Sequence, residues 1–456
     1  MFQSLLRKKE INPHCESALS RSLDAFDLIL LGIGAIIGAG VFVLTGIAAA
    51  TKAGPAIVLS YTIAGLASLF AALAYAELSS SIGGTGSAYS YAYAGFGELF
   101  AWLIGWDLLL EYTMSVSTVA IGWSSYTHNL FEAIHIHIPL LLSKNPFEGG
   151  IINLPAVLIV IFLALLLCVG VKQSARFNAI IVFIKLITIA AFMITAFNHV
   201  HVAYLADFMP FGFKGVMQGA ALVFFAYIGF DALSTAVDET INPKRDVPIG
   251  IIASLVICTF IYIVVSALLT SIVPYSTLNV SSPVSDALLR LGHRTIAGFI
   301  AAGAVAGLTT VMLVMYYGLT RVFLAISLDG LLPIRLAAIH PKTRTPIPII
   351  LMTGVIIALI AGFAPIERAA ELVNIGTLAA FTFVCIGVIV FRLTEPNLLR
   401  PFKLPLNPFV PLMGILFCLY LMFHLPAITW WRFMIWMLVG FIFYFCYGKK
   451  HSRLAK

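Results

Sequence analysis

Much of the chemistry available to this chain belongs to its backbone. The stretch GIGAIIGAGVF, Gly32 to Phe42, places four glycines (Gly32, Gly34, Gly38 and Gly40) within nine residues of an apolar segment. Glycine costs roughly 1 kcal/mol relative to alanine in a helix interior. Such a segment either breaks or packs closely on another helix through its small residues. A break at membrane depth is tolerated only where the freed backbone lines a protein cavity. There the N–H groups suit a carboxylate and the carbonyls suit an ammonium, which together hold a zwitterion. A second stretch, FFAYIGFDALST, Phe224 to Thr235, sets Gly229 among aromatics and follows it with Asp231. Charged residues also fall inside apolar segments at Lys185, Asp107 and Glu111. A charged lysine near the bilayer centre costs at least about 2.5–3.5 kcal/mol on insertion scales, so its default reading is functional. Asp107 and Glu111 are four apart and share one helical face. A buried carboxylate that takes up a proton can carry one across, a role open to Glu111 and Asp231 and in second place to Asp107. The alternative for each is a hydrogen-bonded structural acid.

These residues need spans to hold them. The chain has 456 residues, 61% hydrophobic and 10% charged, where a soluble domain carries about 25% charge. It reads as an all-α polytopic membrane protein. Spans of about 20 apolar residues are expected at 27–50, 55–78, 98–128, 153–171, 175–198, 214–238, 248–273, 295–327, 347–364, 368–391, 407–426 and 429–448. The N-terminus, MFQSLLRKKE, stays polar to about Asp27 and shows no cleavable signal. With that end inside, 19 of the 27 Lys and Arg residues lie on the cytoplasmic side, 7 lie outside and Lys185 lies within a span. This bias places both termini in the cytoplasm and accounts for the net charge of +7 without nucleic acid. The expected division is a tail at 1–26, a transport core at 27–393, a Pro-rich link with the last two spans at 394–448, and a tail at 449–456. Five of the six cysteines sit far apart in apolar segments and read as small hydrophobes.

The two glycine-marked segments are spans 1 and 6. They stand five apart and so cross in opposite directions. Interrupted spans at matching places of two inverted halves are the sequence pointer to a transporter site. The halves would be spans 1–5 and 6–10, although no residue-level identity links them.

The segments GIGAIIGAGVFVLTG, FGELFAWLIGWDLLLEY, GVKQSARFNAIIVFIKL, FFAYIGFDALSTAVDETINPKRDVPIGI and AGLTTVMLVMYYGLTRVFLAISLDGLLP together carry a resemblance. The chain resembles the amino acid–polyamine–organocation superfamily, and within it the cationic amino acid transporter family in its bacterial twelve-span form. The resemblance implies a LeuT-type fold with a 5+5 inverted repeat and discontinuous spans 1 and 6. It implies that the substrate carboxylate meets the N–H groups of Ile37, Gly38, Ala39 and Gly40. The substrate ammonium would meet carbonyls of Ile36, Phe225 and Ile228, with Phe225 as an aromatic lid. Ala39 stands where related exchangers often have Ser, so only backbone donors remain there. Met315 aligns with a smaller polar residue of the animal transporters and offers a guanidinium no acceptor, which favours a small neutral amino acid such as alanine. Lys185 would occupy the place of the second sodium of sodium-coupled relatives and hold spans 1 and 8 together.

Other features carry less. SSSIGGTGSAYS, Ser79 to Ser90, lacks the ending of a phosphate loop and reads as a cytoplasmic loop. The pairs His135/His137 and His199/His201 have no Cys or acid cluster beside them and do not read as metal ligands. Glu77, Asp238 and Glu239 read as solvated caps or cytoplasmic gate pairs, and Arg321 with Asp329 as a latch. No nucleophile–base motif marks an enzyme. The expectation is a proton-coupled amino acid importer of the plasma (inner) membrane, with no cofactor and no sodium. Its partners are the amino acid and the lipid bilayer. The residues specify neither a homodimer nor the small single-span subunit that bacterial relatives recruit. The alternatives are an amino acid exchanger and, from another class, a transport-inactive amino acid sensor, against which the short tails speak.

Overall fold

The computed structural model describes residues 7–8, 23–82, 87–133, 136, 139–169, 175–234, 240–280, 282–343 and 345–455. Asp24 opens α1 (Ala25–Ile36) with a reciprocal cap, in which its carboxylate accepts from the Asp27 amide and the Asp27 carboxylate accepts from its own. Two first-turn donors are thereby satisfied. The helix stops at Ile37, which is extended, and helical turns resume over Gly40–Leu44, Thr45–Ala48 and Ala49–Ala53. There follow α2 (Ile57–Ile82), α3 (Glu98–Ala133), α4 (Leu154–Val169), α5 (Ala175–Phe197) and α6 (Gly212–Val223). The second half holds α7 (Pro243–Ile272), α8 (Arg294–Leu328), α9 (Ile347–Phe363), α10 (Ile366–Thr394), α11 (Phe409–Phe423) and α12 (Ala427–Phe443). Among the described residues eight helical stretches are long and apolar enough to cross a membrane, and one of them, Ala25–Ile82, contains both α1 and α2. α4, α9 and α11 are apolar but shorter. The chain is a polytopic, all-helical membrane protein.

Burial orders the bundle. The apolar windows of Ala25–Ile82 and Gly212–Ser234 are 89% buried, against 22% for the last helix, so α1 and α6 form the centre. Leu158, Phe162 and Leu165 on α4, Ile187 and Ile194 on α5, and Ile435 and Leu438 on α12 are exposed. Apolar side chains in that number on the outer faces suit a lipid solvent. The start of α1 is tied to the start of α7 by a parallel bridge between Leu23 and Thr240.

Both ends of the chain meet at one end of the bundle. The Glu98 amide donates to the Arg7 carbonyl (3.0 Å), and the Glu98 carboxylate accepts from Ser452 (2.5 Å) and Tyr444 (3.0 Å). Asp329 accepts from Tyr89 (2.7 Å), and its carbonyl accepts from the Arg453 amide (3.0 Å). Nearby, Glu77 is buried rather than a solvated cap. It accepts from Arg392 Nε (2.9 Å) and Nη2 (2.5 Å) and from the Leu404 amide (2.8 Å), with Arg400 at 3.6 Å. The Pro-rich connection after α10 therefore folds back beneath α2. The stretch Ser79 to Ser90 is not all loop: α2 continues through Ile82, a helix spans Ala88–Gly95, and residues 83–86 lie outside the described ones. Asp238, Glu239, His135 and His137 also lie outside them.

Removing one partner of a buried ion pair leaves the other charge uncompensated, which costs about 3–5 kcal/mol. Glu77→Ala is therefore expected to lower the apparent Tm in detergent sharply. Arg392→Ala is expected to lower it less, because Arg400 still faces the carboxylate. Equal melting of all three proteins would refute the clasp.

Candidate functional site

The two glycine-marked segments meet. α6 tightens into a turn over Phe224–Tyr227, Ile228 is extended, and Gly229 has φ +120°. That backbone strongly favours glycine, and a Cβ there would stand 2.8 Å from the Ala35 carbonyl oxygen. At Gly40 a Cβ would stand 2.2 Å from Ala226 Cα, so the second segment touches the first only because Gly40 lacks a side chain. Buried carbonyls freed at a helix break need partners, and side chains from the surrounding helices supply them. The Tyr262 hydroxyl of α7 lies 2.9 Å from both the Ile36 and Ala226 carbonyls, so one proton is shared between the two breaks. Tyr61 of α2 reaches the Gly40 carbonyl (3.1 Å), and Tyr126 of α3 reaches that of Phe42 (2.5 Å). Asn374 of α10 donates to the Ala221 and Leu222 carbonyls at 2.8 and 2.9 Å.

Between the breaks lies a cavity of about 10 Å³, room for about one water. Ile36, Gly38, Ala39, Gly40, Phe225, Ile228 and Met315 all line it. Ile37 does not: its N–H donates to the Ile33 carbonyl (3.0 Å) and its own carbonyl accepts from Lys185. Gly38, Ala39 and Gly40 open the resumed helix, where the first N–H groups have no partner within the helix. Met315 fills the opposite wall, its methyl 3.1 Å from where a Gly229 Cβ would lie. Admitting an amino acid requires these walls to move apart. Sequence reasoning missed Ala35, Ser115, Val119 and Val311 on the lining. Ser115 is buried with an unpartnered hydroxyl. Its signal was available, since it stands four after Glu111 and eight after Asp107 on one face of α3.

Lys185 Nζ donates to the carbonyls of Gly34 (2.8 Å) and Ile37 (3.0 Å). Both lie on the broken end of α1. α8 receives only the stem, through Gly307, where a Cβ would stand 2.6 Å from Lys185 Cε. Asp231 is turned away from the cavity. It accepts from the Gly229 amide (3.1 Å) and from Tyr112 (3.1 Å), so the lining holds no charged side chain. Glu111 is buried, with both carboxyl oxygens unpartnered. Asp231 and Asp107 lie within electrostatic reach of it, and the Thr377 hydroxyl stands beside it but donates to the Val373 carbonyl (3.0 Å). Asp107 abuts Gly376, where a Cβ would lie 2.6 Å from its Oδ1. The three acids thus sit in one seam where α3 meets α10 and the α6 break, with no ion-pair partner among the described residues. Protonation there removes charge from an apolar interior. On the far side His199 faces His293 at 3.1 Å instead of His201.

Stranding a buried acceptor costs about 1–3 kcal/mol, and about 1.4 kcal/mol is tenfold in an equilibrium. Tyr262→Phe strands part of the bonding of two carbonyls at once and uncouples the two breaks. It should fold, with the maximal transport rate reduced about tenfold or more. Lys185→Met leaves the Gly34 and Ile37 carbonyls without a donor and should abolish transport at normal expression. Wild-type rates in either variant would remove that residue from the machinery.

The chain matches the amino acid permease family over residues 23–444. It is 48% identical over 461 residues to a methylthioribose transporter of Bacillus subtilis (strain 168), covering all of both chains. It is likewise 48% identical over 464 residues to the branched-chain amino acid permease BcaP of the same organism, again over the whole of both. With a vacuolar cationic amino acid transporter 4 of Arabidopsis thaliana it shares 36% over 419 residues, 87% of this chain and 68% of that one. The meeting of two broken helices at a backbone-lined cavity and these matches lead to one conclusion: the chain belongs to the amino acid permease family, and it is a transporter, not an enzyme.

Proposed function

We propose that the protein imports a small neutral L-amino acid in symport with protons, by alternating access across the plasma membrane. The observation that carries this is the chemistry of the central cavity. Ile36, Gly38, Ala39, Gly40, Phe225 and Ile228 line it, with one side-chain hydroxyl at Ser115 and no charged side chain; on this reading the N–H groups of Gly38–Gly40 and the carbonyls of Ile36, Phe225 and Ile228 turn to the substrate. Such a lining complements the carboxylate and ammonium common to all amino acids and gives a cationic side chain no acceptor. Met315 restricts the remaining space. Two of the three relatives above are named for amino acids, one of them for the branched-chain group; methylthioribose in the name of the other marks how far substrates diverge within the family.

The reading adopts twelve spans in a LeuT-type 5+5 arrangement, with residues 27–393 as the transport core and both termini cytoplasmic. The convergence of Arg7, Glu98 and Ser452 at one end supports an even number of crossings. The ammonium of Lys185 sits on carbonyls of a broken helix, where coupled transporters hold a free cation. This supports a cycle without sodium. Glu111 and Asp231, with Asp107 behind them, are the acids proposed to pass the proton. Lys185 is compatible with exchange as well, so the mode is left to the measurement.

The test is uptake of labelled L-alanine, L-leucine and L-arginine into proteoliposomes under an imposed inward proton gradient. Gradient-stimulated uptake of a neutral amino acid is expected. Uptake that ignores the gradient and requires internal amino acid would make the protein an exchanger, and binding without uptake a sensor. Ser115→Ala should raise the KM for the accepted amino acid about five- to tenfold with little change in maximal rate. Met315→Ser should widen acceptance towards arginine. Arginine preference in the wild type would overturn the assignment of Met315.

A further inference from the structure

A second, larger cavity opens at the end of the bundle opposite the termini. Its volume is about 330 Å³, within the size range of small-molecule sites and far above that of the central cavity. Its walls come from the resumed helix after α1, the length of α6 from Lys214 to Leu222, the start of α10 and the turn between α11 and α12. Its polar side is made by Lys52, Lys214, Gln218, Glu371 and His424, and its apolar side by Leu222, Phe423, Leu425 and Pro426. Glu371 is 7% exposed. One of its oxygens accepts from Thr429 (2.7 Å), and the other makes no hydrogen bond among the described residues. Lys52 is 3.8 Å from Glu367, a loose pairing, while Lys214 is exposed and makes no ion pair among the described residues. Lys52 and Arg432 act on Glu371 electrostatically but neither is within ion-pair distance of it, so a buried carboxylate and two ammonium groups face a common space without a direct ion pair between them.

We propose that this cavity is a second amino acid site, which holds the α-carboxylate on Lys214 and Lys52 and the α-ammonium on Glu371. A simple anion would leave Glu371 opposed to it, and a simple cation would leave the lysines so; a zwitterion satisfies both. The position connects it to the central cavity. Leu222 lines it, three residues before Phe225 on the central lining. Asn374, one turn after Glu371 on α10, holds the Leu222 carbonyl (2.9 Å). An amino acid held here waits one helical turn from the break in α6. The inference rests on the amino acid reading above and adds a capture step before the central site.

The experiment measures equilibrium binding of labelled L-alanine and L-leucine to the full chain in phosphatidylglycerol nanodiscs, with uptake in parallel. Wild type is expected to bind two equivalents per chain. Lys214→Gln/Glu371→Gln is expected to bind one, with the uptake KM raised about tenfold and the maximal rate unchanged. Gln at 371 keeps an acceptor for Thr429, and Lys214→Gln alone, on an exposed residue, supplies the same test if the double variant does not fold. One equivalent in both proteins, with uptake intact, overturns the second site and leaves the transport reading standing. Neither binding nor uptake of either amino acid by wild type overturns both. A second equivalent that disappears when phosphatidylethanolamine is added assigns the cavity to a zwitterionic lipid head group and overturns the free amino acid as its occupant.

Discussion

The central constraint on this molecule is that peptide groups freed by a helix break cannot be left unpaired in an apolar interior. α1 stops at Ile36 and α6 loses its regular turn after Val223. The carbonyls this releases are met by Lys185, Tyr262, Tyr61, Tyr126 and Asn374, which come from α5, α7, α2, α3 and α10. Five helices are therefore fixed around the breaks by the requirement to satisfy them. The groups with no side-chain partner, chiefly the N–H groups of Gly38–Gly40, border the cavity. On the proposed reading, the zwitterion site is the unfilled remainder of the same bonding problem.

Charge is sorted by that scheme. Among the described residues the only ammonium at the breaks is tethered to α1, and the acids are kept out of the cavity, in the seam where α3 meets α10 and the α6 break. Asp231 stands between the two regions. Its bonds to the Gly229 amide and to Tyr112 join the break in α6 to the helix that carries Glu111. A change of charge on Asp231 would alter what the Gly229 amide donates to, and hence the geometry of the cavity wall. On the proposed cycle this would be a physical route from proton to gate that needs no acid in contact with substrate.

Some of this was legible in the residues. The glycines of span 1, Gly229 and the charges inside spans marked the centre, because each costs too much in an ordinary helix to be there without a reason. Seven of the eight substrate residues that the family resemblance implied fall on one cavity, beside the breaks those glycines mark. Ile37 does not, since the helix runs one hydrogen bond further than the glycine pattern suggests. Other parts left no local trace. Tyr262 is one tyrosine in an apolar helix and looks like core, and only its placement between Ile36 and Ala226 distinguishes it. The partners of Glu77 lie 315 and 323 positions further on, at Arg392 and Arg400, where no periodicity could pair them. The larger cavity is assembled from four separate stretches and was invisible for the same reason.

The tethering of Lys185 has one further consequence. A free ion at a broken helix can leave when the halves of the bundle rock, and its concentration gradient then drives the cycle. An ammonium on a side chain cannot leave, so it can respond to rocking only by exchanging its carbonyl partners or its proton. Gly307 narrows the first choice, because the stem of Lys185 is packed against it from α8 with no room for a methyl group. Movement of α1 relative to α8 therefore separates the amine from the Gly34 and Ile37 carbonyls, leaving a buried charge without partners, a state far more costly than its neutral form. On the proposed cycle the rocking motion itself biases Lys185 towards giving up its proton, and Glu111, Asp231 and Asp107, which have no ion-pair partner among the described residues, are the acids proposed to pass one.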